Sequence, residues 1–366
     1  MQDSTHILQE QITDAARENA ALFILGGSSK SFYGNPVLGE TVTTTIHNGI
    51  VEYEPSELTV TVRGGTSLAE LTRELSSHGQ MLACEPPGFS DDATIGGAIA
   101  AGLSGPARPY RSSIADIVLG CRIITGEGQI LEYGGKVMKN VAGYDISRLM
   151  TGSLGCLGLI LEITLRVIPA PERELTFSFS VESLESAVFV NELRKKGLPV
   201  SAASSIDGTL YVRFSGGADE ISGLEKTLLK SFGFVEQNVQ ADNTLWVEIK
   251  NHSHAFFNLE SESHKNLWRL SVAPGKNVSA FYPNDSARLT EWGGAILWFK
   301  SAAEPEIIHR MASQSDAQAT LFRSCVNESM RRFAPVSPAL QQWYTSLKSA
   351  FDPQGIFNPG RFHDWL

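Results

Sequence analysis

A glycine- and serine-rich turn directly follows a short apolar run near the N-terminus. The stretch "LFILGGSSKSF" places residues 26–31 immediately after a predicted strand at 22–25. Glycine permits positive φ angles and close approach of other groups, and successive backbone N–H groups in such a turn can bind an anion. The serine hydroxyls and Lys30 add further donors. A phosphate-binding turn is therefore a candidate, but on this stretch alone we favour an ordinary glycine-rich hairpin turn, because such turns are common.

A second candidate is a tract of small residues over 84–113, "CEPPGFSDDATIGGAIAAGLSGPARPYRSS". So many small residues cannot build a side-chain core, so they suit a backbone that lies against a flat or extended ligand. A small-residue helix packed closely on a sheet is the alternative. The proline and glycine residues of the tract are Pro86, Pro87, Gly88, Gly96, Gly97, Gly102 and Gly105.

A third glycine cluster precedes a β-branched segment that ends at Pro169. Gly152, Gly155 and Gly158 fit a G-x-x-G-x-x-G spacing, but a chain with 33 glycines produces such matches by chance. Neither this cluster nor residues 26–31 has the G-x-G-x-x-G or P-loop spacing. Taken one at a time, the glycine-rich segments therefore do not decide between contact with a ligand and ordinary close packing.

Few residues suggest catalysis. Of the eight histidines, only His252 and His254 are close together, in "NHSHAFF". On a strand they would share a face and could bind a metal, but we favour a solvated loop. The arginines that could each bind a substrate carboxylate, and that also fit ordinary surface arginines, are Arg323, Arg331, Arg332 and Arg361. The sequence thus identifies no catalytic residue and no metal site.

Composition limits the class of protein. The 366 residues favour two domains, and a net charge of −10 argues against a nucleic-acid binder. The four cysteines form no C-x-x-C pair, which disfavours an iron–sulfur or structural zinc site within the chain and gives no disulfide framework. The N-terminus has no apolar signal segment, and the apolar runs are too short and too charged to span a bilayer. We therefore expect a cytoplasmic protein without direct membrane insertion.

The predicted elements change character at Pro169 and Pro171. Beyond these prolines glycine becomes rarer, and alternating strands with amphipathic helices predict an antiparallel sheet with helices on one face. We expect domains at 1–171 and 172–328, and a C-terminal segment at 329–366. The predicted helices cover 5–20, 66–79, 146–150, 184–197, 220–233 and 340–351, and the predicted strands cover 22–25, 58–65, 174–181, 209–217, 267–274 and 293–301, with a hairpin at 116–134 and a strand ending at 169.

Five segments occur in an order that resembles a known family. They are the 26–32 turn, "VRGGTSLAEL", "PPGFSDDATIGGAIAAGLSG", "GYDISRLMTGSLGCLGLILEITLRVIPAP" and "DPQGIFNPGR". Together they resemble the FAD-binding oxidoreductases of the vanillyl-alcohol oxidase and p-cresol methylhydroxylase type. The segments "VMKNVAGYDISRLMTGSLGCLG", "LWRLSVAP", "EWGGAILWFKS" and "GIFNPGRF" further resemble the smaller FAD-binding subunit of the multisubunit glycolate oxidase. The likeness covers essentially the whole chain and is weakest at about 175–265.

The resemblance implies an α+β fold in which residues 1–171 form two FAD-binding subdomains. Residues 172–328 would form an α+β antiparallel-sheet cap, and 329–366 would return to the FAD domain. With this context we favour the phosphate-binding turn over an ordinary connection. The residues that the resemblance places on the pyrophosphate are Gly26, Gly27, Ser28, Ser29, Lys30, Ser31 and Phe32. Those placed along the diphosphate, ribityl chain and isoalloxazine are Pro87, Gly88, Thr94, Ile95, Gly96, Gly97, Gly102 and Gly105, and those at the adenine are Gly155, Gly158 and Ile160.

The sequence departs from the family pattern at two kinds of position. Covalent relatives carry a histidine in or near the first turn, and "GGSSKSF" has none, so we predict non-covalent FAD. Leu154 stands where relatives often have an acidic residue near the adenine. The histidine-rich cap motif of related 2-hydroxyacid dehydrogenases is not found either.

The resemblance implies oxidation of glycolate or D-lactate to the 2-oxo acid. Electrons would pass from the flavin to a larger FAD-binding subunit and an iron–sulfur subunit, and these partners would provide any membrane association. An autonomous FAD-dependent D-2-hydroxyacid dehydrogenase and a flavin-poor structural subunit remain as alternatives. Trp292, Trp298 and Trp343 are candidates for a partner surface, although we favour burial in the core for each of them.

Overall fold

The protein forms two compact units in a computed structural model. The first comprises Met1–Ser104, Ser113–Pro169 and Pro335–Leu366, and the second comprises Gly105–Ser112 and Ala170–Ala334. Both units combine helices with mainly antiparallel sheets, which confirms the predicted α+β class. The residues that the structure describes are 2–135, 145–180, 183–224, 227–228, 244–262, 264–273, 276, 281, 287–325 and 330–366.

The chain changes unit four times rather than twice. It enters the second unit briefly at Gly105–Ser112, an excursion that the sequence analysis did not separate from the first 171 residues. The main change of unit follows Pro169, close to the expected boundary. The expected boundary at 328/329 lies outside the described residues, and the functional roles given to the three segments remain predictions.

The first unit contains most of the glycine-rich segments. Its elements are α1 (Thr5–Glu18), β1 (Leu22–Leu25), β2 (Glu40–Thr43), β3 (Ile50–Glu54), β4 (Thr59–Arg63), α2 (Leu68–Ser77), β5 (Gln80–Met81), α3 (Ile95–Ala101), α4 (Ile114–Ile117), β6 (Val118–Ile124), β7 (Ile130–Gly134), α5 (Ile146–Leu149), β8 (Leu159–Arg166) and β9 (Ile168–Pro169). The last helix of the chain, which we call α10 (Pro338–Phe351), also belongs to this unit.

An antiparallel sheet with the order β3-β4-β8-β6-β7 forms the centre of this unit. The predicted hairpin over 116–134 is confirmed as β6 and β7, although a helical turn capped by Ser113 precedes β6. Helix α2 begins after Ser67, whose side chain accepts a hydrogen bond from the Glu70 N–H. Its buried residues repeat at helical spacing and pack on this sheet, as the pattern predicted. Strand β1 lies elsewhere, paired in parallel with β2.

The second unit contains a seven-stranded antiparallel sheet with the order β10-β12-β11-β14-β15-β13-β16. Its elements are β10 (Arg173–Ser180), α6 (Ser183–Lys195), β11 (Val200–Ile206), β12 (Thr209–Gly216), α7 (Ala218–Ser222), α8 (Thr244–Asn251), β13 (Asn266–Ser271), β14 (Arg288–Glu291), β15 (Ile296–Ser301), α9 (Pro305–Gln314) and β16 (Gln318–Arg323).

Five elements of this unit were not predicted, namely β11, β14, β16, α8 and α9. Strand β11 has the sequence VSAASSI, whose small polar residues resemble a loop although five of the seven are buried. Strand β14 has only four residues. Three predicted segments include residues outside the described ranges. These residues are 137–144, most of 225–233, and Pro274.

The three tryptophans suspected of facing a partner differ in exposure. Trp343, on α10, is 70% exposed, whereas Trp298 is 4% exposed and Trp292 is partly buried. The favoured burial in the core is therefore right for Trp298 and wrong for Trp343. Across the described residues, the helices are all too short or too polar to cross a membrane.

Candidate cofactor site

A pocket of about 90 Å³ lies at the end of β1 in the first unit. Typical sites for whole cofactors occupy roughly 300–1,000 Å³, so this pocket can hold a part of one, such as a pyrophosphate. Its lining residues are Phe23, Ile24, Leu25, Gly26, Gly27, Ser28, Ser29, Lys30, Ser31, Tyr33, Thr94, Gly97, Ala100, Ala101, Leu154, Asn358 and Arg361.

The turn after β1 leaves a run of backbone donors without protein partners. The Ser31 N–H donates to the Ser28 carbonyl at 2.9 Å, and the Tyr33 N–H to the Lys30 carbonyl at 3.0 Å. Within the described part of the chain, no acceptor is found for the N–H groups of residues 26–30, all of which line the pocket. Ser28 has a φ of +59°, so the turn includes a left-handed residue, as anion-binding turns do. Five consecutive donors that line one pocket can together bind a ligand that has several acceptor oxygens.

Lys30 supplies a positive charge beside these donors. Its Nζ contacts the Ser29 Oγ at 3.2 Å and the Gly88 carbonyl at 3.3 Å, and it lies 5.6 Å from the centre of the Phe89 ring. Burial lowers the pKa of Lys30 to about 8. No carboxylate pairs with this ammonium among the described residues. An anion in the pocket would therefore find a cation that the protein does not already neutralise.

Arg361 fixes the far side of the turn. Its guanidinium donates to the carbonyl of Ser31 at 2.9 Å, to that of Tyr33 at 2.7 Å and to that of Asn35 at 2.8 Å. It is 6% exposed, so its interpretation as an ordinary surface arginine is wrong. Arg361 therefore holds the turn through its carbonyl oxygens and does not involve its N–H groups.

Asn358 joins three segments around the same pocket. Its side-chain carbonyl accepts from the Ile24 N–H at 2.8 Å, its amide donates to the Leu154 carbonyl at 2.7 Å, and its backbone N–H donates to the Leu22 carbonyl at 2.9 Å. Asn358 is 2% exposed and has a φ of +44°, a conformation that asparagine tolerates better than most residues. The C-terminal segment thus closes one wall of the pocket.

A buried ion pair anchors this C-terminal segment. Lys348 and Asp352 are 2.7 Å apart, and both are less than a tenth exposed. The Lys348 Nζ also donates to the carbonyls of Cys156 at 2.8 Å and Phe357 at 2.7 Å. Asp352 accepts from the backbone N–H groups of Ile356 at 3.1 Å and Phe357 at 2.8 Å. The pair therefore connects the glycine-rich loop near 155 with the residues that lead to Asn358.

Close backbone packing explains Gly27 of the turn, which lies against the small-residue tract, and some glycines of the tract itself. A Cβ at Gly27 would lie 1.5 Å from the Asp92 carbonyl oxygen, and one at Gly96 would lie 2.7 Å from the Gly64 carbonyl oxygen. Gly102 has a φ of +68°, which an L residue adopts only with strain. A Cβ at Gly97, in contrast, would meet only the Thr94 hydroxyl, at 3.1 Å. The tract thus builds the pocket partly by packing against its own chain.

The structure brings together some of the residues predicted to contact the cofactor. Those that line the pocket are Gly26, Gly27, Ser28, Ser29, Lys30, Ser31, Thr94 and Gly97. Those that do not line it are Phe32, Pro87, Gly88, Ile95, Gly96, Gly102, Gly105, Gly155, Gly158 and Ile160, and Gly105 belongs to the second unit. The assignment of both groups to the cofactor remains a prediction.

Nine lining residues were not assigned to the pocket by the sequence analysis, among them Asn358 and Arg361. Both lie in the "NPGR" motif, which carried part of the family resemblance and was the available signal; only Arg361 was considered there, as a carboxylate ligand or an ordinary surface arginine. The apolar lining residues Ala100 and Ala101 give no such signal because they look like ordinary core residues.

The His252 and His254 pair does not form a metal site. It lies in a turn after α8 rather than on a strand, and His252 has a φ of +57°. The His252 ring stacks on Phe257 at 3.9 Å, so the solvated-loop interpretation is wrong for this side chain. The His254 Nδ1 accepts from the Phe256 N–H at 3.2 Å. No group of three or more metal-ligating side chains occurs in the described ranges.

Replacing Lys30 by methionine is expected to weaken FAD binding about tenfold, the effect of losing one charge-assisted contact. Wild-type affinity should fall as pH rises above about 8, because the bound anion holds the Lys30 proton that the free protein loses there. Lys30→Met should show no such pH dependence, and Lys30→Arg should retain most of the affinity. Fluorescence titration of FAD into flavin-depleted protein at several pH values measures this, and an unchanged affinity in Lys30→Met would exclude the contact.

Several known proteins are similar to this chain in sequence or in fold. An FAD binding domain family matches residues 3–134. The glycolate oxidase subunit GlcE of Escherichia coli (strain K12) is 39% identical over 99% of this chain and 98% of its own length. D-lactate dehydrogenase [cytochrome] 1 of Saccharomyces cerevisiae is 28% identical over 81% of this chain, which covers 51% of that protein. Among solved structures, an alkyldihydroxyacetonephosphate synthase superposes with a TM-score of 0.68 over 98% of this chain and 76% of its own, at 14% identity, which supports the fold.

The orphan N–H groups and the unneutralised Lys30 fit the pyrophosphate of a dinucleotide, which agrees with these likenesses. The chain belongs to the GlcE family of FAD-dependent oxidoreductases, with the p-cresol methylhydroxylase type of fold, and FAD is its cofactor.

Proposed function

We propose that this chain is an FAD-binding subunit of a multisubunit glycolate oxidase and that it takes part in the oxidation of glycolate or D-lactate to the 2-oxo acid. The observation that carries the proposal is the run of orphan N–H groups at residues 26–30 in a chain 39% identical to GlcE over nearly its whole length. The names of the relatives supply the substrate class.

The residues of the first unit have distinct roles in this proposal. The backbone amides of residues 26–30 bind the pyrophosphate, and Lys30 neutralises part of its charge. The apolar side chains of Ala100, Ala101 and Leu154 keep water from this end of the site. When bound, FAD accepts two electrons and a proton as hydride from the carbon that bears the substrate hydroxyl. We keep the prediction that FAD is non-covalent, because residues 26–32 include no histidine.

Electrons would leave this chain through partner subunits. A multisubunit arrangement is supported by the description of GlcE as a subunit and by the likeness to GlcD of Bacillus subtilis, which is 32% identical over 48% of this chain and 38% of its own length. We propose the larger FAD-binding subunit and an iron–sulfur subunit as partners. The four cysteines are widely spaced, and three of them are buried, so they offer no iron–sulfur cluster of the usual kind within the chain.

Anaerobic addition of glycolate to the purified flavoprotein tests the proposal. The chain is expected to be yellow, and acid should release the FAD into solution. Bleaching of the flavin absorbance only after co-expression with the larger subunit and the iron–sulfur subunit supports the subunit role. Rapid bleaching of the isolated chain would instead support an autonomous dehydrogenase, and no bleaching by glycolate or D-lactate in either preparation would contradict the proposal.

A further inference from the structure

The last helix of the chain, α10, carries an apolar stripe that its own unit covers only in part. Leu340, Trp343, Tyr344 and Leu347 have the i, i+3, i+4, i+7 spacing of one helix face. Leu340 is 40% exposed and Trp343 is 70% exposed, whereas Tyr344 and Leu347 are partly buried. The N-terminal half of the stripe therefore faces solvent, and only its C-terminal half packs on the first unit.

The exposed part of the stripe continues onto the C-terminal residues. The Tyr344 ring centre lies 6.4 Å from that of Trp365, which is 39% exposed. Nine large apolar side chains are exposed among the described residues. Leu340, Trp343 and Trp365 adjoin through α10 and Tyr344, while the other six are spread along the chain between positions 7 and 307. Single exposed apolar residues are normal, whereas a group of neighbouring ones indicates an interaction site.

The surface around these residues carries no charged side chain. Residues 333–347 include no Asp, Glu, Lys or Arg, although charged residues make up 19% of the chain and about three would be expected in a segment of this length. Lys348, the one charged residue of α10, is buried and lies 2.7 Å from Asp352. A helix surface that faces water is normally rich in charged residues, and the centre of a protein–protein interface is poor in them and rich in aromatic ones. The composition of α10 is thus typical of an interface.

A concave protein partner fits α10 better than a second copy of this chain does. The 14 residues of α10 form a rod about 21 Å long and about 10 Å wide. Two such helices side by side would cover roughly 200 Å² on each copy, whereas a stable interface covers about 800 Å² on each partner. A groove that encloses the helix on three sides covers about three times as much and extends to Trp365. The available area therefore favours a helix-in-groove contact with a different protein.

A lipid surface does not match the same residues. Helices that lie on a membrane carry lysine or arginine on their polar face, and these bind anionic headgroups. The exposed positions of α10 hold only Pro, Ala, Leu, Gln, Trp, Thr and Ser. The helix therefore lacks the charges that membrane binding uses.

We propose that α10, together with Trp365, is the surface through which this chain binds another subunit of its complex, and that the partner receives the helix in an apolar groove free of charged side chains. Leu340 and Trp343 enter the groove as anchors, and Trp365 covers its edge. The existence of a partner subunit rests on the proposed function, whereas the position of the surface rests on the exposure and composition of α10.

Co-purification with the partner subunits tests this surface. The tagged chain is co-expressed with the larger FAD-binding subunit and the iron–sulfur subunit, and the amount of each subunit that the tag recovers is measured. Trp343→Glu should lower this recovery about tenfold or more, because it removes an aromatic anchor and places a charge in an apolar contact. Trp343→Phe should keep most of the recovery. The FAD content and melting temperature of the isolated chain should stay unchanged in both variants, because Trp343 is exposed.

Leu340→Glu is a second variant, designed to preserve the helix. Leu340 is the third residue of α10, and its N–H donates to the side chain of the Ser337 cap. A glutamate at this position completes a capping box, so a lower recovery would not reflect a lost helix. Ile7→Glu is the matched control, because Ile7 is a 49% exposed apolar residue of α1 in the same unit. It should leave the recovery of both subunits unchanged.

The outcomes separate this surface from the proposed function. If wild type recovers a partner subunit and both glutamate variants recover as much, the surface is overturned and the proposed function stands. If wild type recovers neither subunit, both fail. The isolated chain should run as a monomer in gel filtration and should not sediment with phosphatidylglycerol vesicles. A dimer that Trp343→Glu dissociates, or vesicle binding that it abolishes, would overturn the subunit partner in favour of a second copy or a lipid surface.

Discussion

A Gly97→Trp variant is expected to fold and to contain no FAD. Gly97 lines the 90 Å³ pocket, and a Cβ there would meet only the Thr94 hydroxyl, so a large side chain is directed into open space rather than into the core. An indole in so small a pocket removes the room for the pyrophosphate. We expect flavin content to fall from about one FAD per chain to near zero, measured as the ratio of flavin to protein absorbance after purification.

A matched control separates this effect from general damage. Gly223 is an exposed glycine at the end of α7, where a Cβ would meet nothing closer than 3.9 Å. Gly223→Trp should retain FAD and the wild-type circular dichroism spectrum. Full flavin content in Gly97→Trp would show that the pocket does not hold the cofactor.

Lys348→Met should destabilise the protein more than any surface substitution. Removing one partner of a buried ion pair leaves the charge of Asp352 uncompensated and typically costs about 3–5 kcal/mol of the free energy of unfolding. The carbonyls of Cys156 and Phe357 would lose a donor at the same time. Because these bonds lead to Asn358 and the pocket wall, FAD retention should fall as well. Urea unfolding and the flavin-to-protein ratio measure the two effects.

Lys195 is a matched control for Lys348, because its ion pair has the same N–O distance. It forms an ion pair with Glu192 at 2.7 Å, but the two side chains are 72% and 45% exposed. Lys195→Met should therefore change the free energy of unfolding by less than about 1 kcal/mol. The double variant Lys348→Met with Asp352→Asn should lose less than the sum of the two single variants, since neither charge is left alone. Similar losses in Lys348→Met and Lys195→Met would contradict the anchoring role.

The local pattern at residues 22–31 predicted only part of the site. The apolar run at 22–25 followed by glycine and serine is enough to indicate a strand and a turn, because both depend on neighbouring residues, but the family resemblance was needed to favour an anion-binding turn. Lys30 could be included for the same reason. The orphan state of the N–H groups could not be predicted, because it depends on which acceptors the folded chain brings near them.

The pocket wall that the C-terminal segment forms depends on contacts between residues far apart in the sequence. Arg361 bonds to carbonyls about 330 positions earlier in the chain, and no local pattern distinguishes it from a surface arginine. The glycines at 96 and 102 were interpreted as ligand contacts because small residues look alike, whether a cofactor or another strand of backbone lies beside them.

A crystal structure of the flavin-bound protein is the most direct measurement of the central claim. We expect the pyrophosphate of FAD within hydrogen-bond distance of the backbone N–H groups of residues 26–30, with the Lys30 ammonium beside it. A pyrophosphate bound elsewhere in the chain, with those N–H groups facing only water, would contradict it.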